Sequence, residues 1–198
     1  MANIITITRM LLAVIAITLL YFKTPAAYIT SFILTIFVIW GDGLDGFVAR
    51  KFNECSKFGA VLDILGDRIV ENIYWIAFAT LAMVAPWVPL VVVIRGILTD
   101  GIRALALEQG YTAFGETTMM QGKVAKFIVA SNFSRFTYAV CKALAFTLMI
   151  AAYMPLDYSF KPVIFNAATV CVYISVFFCV VRGLPVLTES KRFFNEKQ

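Results

Sequence analysis

Asp42-Gly43-Leu44-Asp45-Gly46-Phe47-Val48-Ala49-Arg50, then a short polar link, then Gly59-Ala60-Val61-Leu62-Asp63-Ile64-Leu65-Gly66-Asp67: the reading of the whole chain turns on this stretch. Long apolar runs flank it on both sides, so four carboxylates sit at the ends of what read as membrane helices. An aspartate at a bilayer centre costs roughly 2.5–3.5 kcal/mol on insertion scales, so such residues usually face an interior cavity and mark function. Asp42 and Asp45 are spaced i,i+3 and Asp63 and Asp67 i,i+4, which puts each pair on one helix face. Two such pairs on adjacent helices can converge on one site. Bare carboxylates at that range repel, and hard divalent cations relieve the repulsion. The chain has no histidine and no paired-cysteine ligand pattern. An all-oxygen Mg²⁺ or Mn²⁺ site is therefore expected. The bland alternative is that the acids merely pair with Arg50 and Arg68.

The rest of the composition agrees with a membrane setting. Of 198 residues 61% are hydrophobic and only 15% charged, with 18 Phe, which excludes an ordinary soluble domain. The net charge of +5 does not point to nucleic acid, because the basic residues are not clustered on a soluble face. They read as loop charges that set orientation beside an anionic leaflet. Of the four cysteines, Cys141, Cys171 and Cys179 lie in apolar runs and behave as small hydrophobes, while Cys55 lies in the polar link. No disulfide framework is implied.

The fold class expected is all-α, a polytopic bundle of six transmembrane helices. The first is the apolar run Ala2–Phe22, which lacks the charge pattern and cleavage site of a removable signal and is expected to stay attached. Within it Asn3, Thr6 and Arg9 form a polar stripe at i, i+3, i+6; Arg9 either snorkels to the interface or lines a site. Lys23-Thr24-Pro25 marks a turn. The second helix is expected over Tyr28–Ala49, the third over Phe58–Val84 and the fourth over Trp87–Leu107. The fifth is placed over Phe133–Ala152, with a bent start near Lys123 as an alternative, and the sixth over Val163–Val181. Residues 1–182 form the transmembrane domain and 183–198 a polar cytoplasmic tail. Six crossings put both termini on one side. Loops on that side carry Arg50, Lys51, Lys57, Lys123, Lys126, Lys191, Arg192 and Lys197, against Lys23 and Lys161 opposite. Both termini and the aspartates are thus expected to be cytoplasmic. Glu71, four residues after Asp67, is expected to pair with Arg68 or another base. In the fourth helix Arg95 and Arg103 stack on one side about two turns apart, and arginine's planar fork suits a phosphate.

A cation site, basic groups and an opening toward cytosol and lipid suit phosphoryl transfer on an amphiphile. The order D-x-x-D-G-x-x-A-R, then eight residues, then G-x-x-x-D-x-x-x-D resembles the signature of the CDP-alcohol phosphatidyltransferases. Asp42, Asp45, Gly46, Ala49, Arg50, Gly59, Asp63 and Asp67 match its fixed positions in register. The N-x-x-T-x-x-R of Asn3, Thr6 and Arg9 and the segment from Arg95 through Arg103 to Gly110 resemble the phosphatidylglycerophosphate synthase branch. That branch has GKxKT where this chain reads Gly122-Lys123-Val124-Ala125-Lys126, so the second lysine is displaced and the threonine missing. Asp67-Arg68 is more like the inositol-type synthases, since glycerol-phosphate types have D-K at this point.

The resemblance implies a set of roles. Asp42, Asp45 and Asp63 would hold two divalent ions, Mg²⁺ or Mn²⁺, on the diphosphate of a CDP-diacylglycerol. Asp67 would touch metal and act as the catalytic general base. Gly46, Ala49 and Gly59 would pack against the cytidine, with Arg50 near the diphosphate and Asn3, Thr6 and Arg9 lining the nucleotide pocket. Arg95, Arg103 and Lys123 would bind a small phosphorylated alcohol acceptor, favouring glycerol 3-phosphate over inositol phosphate or inositol, and CMP would leave. The implied location is a bacterial inner (cytoplasmic) membrane, with the lipid bilayer as environment and a second copy of the chain as a candidate homodimer partner; no nucleic acid is expected. A different class, an ion-coupled transporter, also places acids within membrane helices. It predicts discontinuous helices in related halves, which this chain lacks, and leaves the Gly, Ala and Arg matches unexplained.

Overall fold

The structure is a computed structural model of the chain that describes residues 2–51, 57–108, 122, 127–129 and 131–189, with residues 2, 44–50, 57, 60, 107, 108 and 132 described as backbone only. It is all-helical, with no strand among the described residues. Among the described residues the long helices are α1 (Ala2–Leu20), α2 (Pro25–Lys51), α3 (Lys57–Thr80), α4 (Trp87–Glu108), α5 (Asn132–Ala152) and α6 (Lys161–Glu189). By length and apolar character α1, α2, α5 and α6 are able to cross a bilayer. Charged residues interrupt α3 (Asp63, Asp67, Arg68, Glu71) and α4 (Arg95, Asp100, Arg103). The chain is an integral membrane protein by this pattern: Leu11, Phe37, Trp40, Phe136 and Phe165 are exposed on their helices, as lipid-facing side chains are.

Helix ends differ from the sequence expectation where caps decide them. The second helix starts at Pro25, not Tyr28. Thr24 caps it, its Oγ1 accepting from the Ala27 amide at 3.3 Å, and Pro25 takes the first helical position, where a missing N–H costs nothing. The third helix stops at Thr80, short of Val84. Ala82 takes a left-handed φ of 56°, and the Met83 amide donates back to the Phe78 carbonyl at 2.8 Å while Ala82 donates to Ala79 at 3.0 Å. That is a Schellman ending built on alanine in place of glycine. Residues 127–129 are helical, and Ser131 then caps α5 by accepting from the Ser134 amide at 3.1 Å. The sixth helix runs through Glu189 rather than ending at Val181, because Val186 continues its buried face.

The chain divides into two compact units, Met1–Pro89 with Ala143–Val170, and Leu90–Lys142 with Cys171–Gln198. In the first, α1 packs on both α2 and α3. Its core is aromatic: Tyr74 stacks on Phe146 with centroids 4.8 Å apart, and Trp75 and Phe78 meet the same ring edge-on. The buried Tyr74 hydroxyl is satisfied by Thr35 Oγ1 at 2.8 Å, which ties α3 to α2. In the second unit, Ala106, Val129 and Val186 form a core joined by Ile102 and Ile128.

Candidate active site

Three helices of the first unit build the aspartate site. Arg9 of α1 does not snorkel: its side chain is 3% exposed. Its Nη1 donates to Asp42 Oδ1 of α2, and its Nη2 donates to Asp67 Oδ1 of α3 at 2.6 Å. Asp63 Oδ1 lies 4.0 Å from the same Nη2. The i,i+4 pair on α3 thus does share a face, and that face meets Asp42. The side chains of the three aspartates are about half exposed (54%, 49% and 50%), in contrast to the buried guanidinium.

Gly66 makes this approach possible. A Cβ there would sit 2.9 Å from Thr6 Cγ2 and 3.4 Å from Arg9 Nη2. Thr6 is buried at this contact and Asn3 is half-buried two turns from Met10. The expected polar stripe therefore brings Thr6 and Arg9 onto α3. Glu71 is buried and accepts from Arg68 Nη1 at 3.4 Å, the expected pairing. Asp45, Gly46, Ala49 and Arg50 continue α2 as backbone, their side chains lying outside those described; Gly59 opens the first turns of α3.

The donor set suits a hard divalent cation in chemistry, being carboxylate oxygens gathered on one positive centre. Among the described residues, no three His, Cys, Asp or Glu side chains close on a common metal position. Arg9 stands between the carboxylates instead.

A cluster of cations forms in the second unit around Tyr138. Arg95 and Arg182 each lie with Cζ 5.8 Å from its ring centroid, and Lys142 Nζ lies 4.6 Å from it. Arg95 Nε donates to the Cys179 carbonyl at 3.0 Å, and its Nη2 donates to the Tyr138 hydroxyl at 3.3 Å. Arg182 donates to Ser134 Oγ at 2.8 Å and to the Val129 carbonyl at 3.1 Å. Arg103 pairs with Asp100 at 3.5 Å, as its i,i+3 spacing permits. Lys123 lies outside the described residues.

Arg182, Tyr138 and Lys142 escaped the sequence reading. The available signal was Arg182-Gly183, a base followed by glycine at the end of an apolar run. A Cβ at Gly183 would stand 2.6 Å from Arg95 Cγ, so the glycine makes room for the arginine stem.

Comparison with known proteins bears on this geometry. A family model described as CDP-alcohol phosphatidyltransferase matches residues 1–181. The chain is 26% identical over 84% of its length to the CDP-diacylglycerol–glycerol-3-phosphate 3-phosphatidyltransferase of Bacillus subtilis (strain 168), covering 76% of that protein. It is 30% identical over 74% of its length to the protein of the same name from Pseudomonas fluorescens, covering 80% of it. Over 34% of its length it is 39% identical to CDP-diacylglycerol–inositol 3-phosphatidyltransferase 1 of Arabidopsis thaliana, covering 28% of that protein.

Proposed function

The chain belongs to the CDP-alcohol phosphatidyltransferase family, and from that premise we propose that it transfers a phosphatidyl group from CDP-diacylglycerol to glycerol 3-phosphate, releasing CMP. The observation that carries the reading is the convergence of Asp42, Asp63 and Asp67 from two helices on one cationic centre. Asp42, Asp45 and Asp63, with Asp67, hold two divalent ions, Mg²⁺ or Mn²⁺, which when bound supply charge neutralisation for the diphosphate.

Asp67 is the general base. It takes the proton of the acceptor hydroxyl as that oxygen bonds to the phosphorus carrying the diacylglycerol. The bond from this phosphorus to the bridging oxygen breaks, and CMP leaves with that oxygen. Gly46, Ala49 and Gly59 leave room for the cytidine, Arg50 lies near the diphosphate, and Asn3, Thr6 and Arg9 line the same pocket. Arg95, Arg103 and Lys123 favour an acceptor that brings its own phosphate, because the planar fork of a guanidinium matches phosphate oxygens. The charges around Tyr138 support that preference.

The loop charges support an orientation with both termini and the aspartates in the cytoplasm, in a bacterial inner membrane. Inositol phosphate or inositol is the second acceptor reading. It is favoured by Asp67-Arg68 and by the likeness to the Arabidopsis protein.

The test is an acceptor panel. Purified protein with CDP-diacylglycerol receives glycerol 3-phosphate, inositol 1-phosphate, inositol or serine, and CMP release is followed. Glycerol 3-phosphate should be used best and serine and free inositol poorly. Arg103→Ala should raise the acceptor's KM far more than that of the CDP-lipid. Equal use of serine, or an Arg103→Ala effect confined to the nucleotide, overturns the acceptor assignment.

A further inference from the structure

We infer that Arg9 is a built-in counter-cation that competes with divalent ions for the aspartate cluster and gives up Asp42 and Asp67 when an ion binds. The inference rests on the divalent-ion reading proposed above. Its starting point is the position of the guanidinium. Arg9 is 3% exposed, yet the carboxylates it joins are about half open. One buried positive group thus meets three half-exposed acids.

The two roles use the same atoms. Asp42 Oδ1 and Asp67 Oδ1 point at N–H donors of Arg9, with Asp67 at 2.6 Å and Asp63 Oδ1 at 4.0 Å. A lone pair aimed at an N–H is not offered to a metal. An ion taking up these oxygens would also sit within a few ångströms of a fixed like charge. Guanidinium and ion are therefore alternatives for Asp42 and Asp67, rather than partners.

The single charge of Arg9 explains why the exchange is feasible. It leaves the three carboxylates with net negative charge, so a divalent ion is still attracted. It also keeps the acids from repelling one another before the ion arrives. A diphosphate entering with the ions offers the released guanidinium oxygens in a fork that suits it. Gly66 fits this account, since a Cβ there would press on Arg9 Nη2 at 3.4 Å and on Thr6 at 2.9 Å.

Competition and simple structural support predict opposite signs. The experiment titrates the full-length protein in detergent with Mn²⁺ and follows the electron paramagnetic resonance signal of the free ion, without substrate. Thermal unfolding is recorded alongside. Arg9→Gln should lower the melting temperature of the metal-free protein, and saturating Mn²⁺ should restore much of the loss. Its Mn²⁺ midpoint should fall by about tenfold, because a like charge has been removed from the site. Arg9→Lys keeps the charge and loses the fork, so its midpoint should lie between those of wild type and Arg9→Gln. A midpoint unchanged or raised in Arg9→Gln makes Arg9 a support for the carboxylates and overturns the inference. Should Arg9→Gln not fold, Arg9→Lys decides alone, and a midpoint no lower than wild type overturns it. Failure of the wild type and both variants to bind Mn²⁺ rejects the divalent-ion reading itself, and this inference with it.

Discussion

A guanidinium buried in an apolar helix needs acceptors for its N–H groups; for Arg9 these are carboxylates, and removing one partner of such a pair is costly. Arg9 meets its carboxylates because Gly66 has no side chain and lets α1 and α3 approach. Asp67 is the residue whose chemistry is most exposed to test. It shares Arg9 with Asp42 and lies half open on the same face as Asp63. Asp67→Asn keeps the size and one hydrogen-bond acceptor for Arg9 but cannot take a proton. Turnover should fall by about 10²–10⁴-fold, the usual worth of a positioned base. Binding of CDP-diacylglycerol should remain measurable, because the other carboxylates stay. Near-normal turnover assigns the proton to another group.

At the scale of the helix, Arg95 is held on several sides by its surroundings. Its Nε is fixed on the Cys179 carbonyl, its Nη2 on Tyr138, and its stem runs past Gly183. Gly183→Ala places a methyl 2.6 Å from Arg95 Cγ and 3.1 Å from Cδ. Neither atom is a free end able to swing away, so the substitution should cost about 1–3 kcal/mol, as overpacking does. The check is a double-mutant cycle by thermal or denaturant unfolding. In an Arg95→Ala background the same change should cost little, because the clash is gone. Additive losses contradict the packing account. Other features of the helices were harder to read in advance. Thr24-Pro25 read as a turn, yet it starts α2, and α3 ends on a left-handed Ala82 where pattern reading looks for glycine. The apolar continuation at Val186 was hidden by the charges around it, so α6 runs further than expected.

The whole molecule shows why much of this protein was legible from residues alone. Apolar runs near the length of a bilayer leave the backbone few options except helix, so α1, α2, α5 and α6 followed from hydropathy, while α3 and α4 are helical but carry charges that keep them below that apolar standard. The aspartate spacing showed which acids share a face, and Asp42, Asp63 and Asp67 do gather. What spacing cannot show is a partner distant in sequence. That Arg9 would stand among those acids, and that Arg182 and Lys142 would join Arg95 around Tyr138, depends on packing between helices.

The central claim is phosphatidyl transfer by a carboxylate–metal site, and one measurement meets it directly. Purified protein is incubated with CDP-diacylglycerol labelled in an acyl chain, with glycerol 3-phosphate and Mg²⁺ or Mn²⁺, and both lipid label and CMP are followed. The account predicts that label moves into a new phospholipid with one CMP released for each molecule formed, and that excess chelator stops both. Label that stays in CDP-diacylglycerol, or transfer that continues undiminished in chelator, would contradict it.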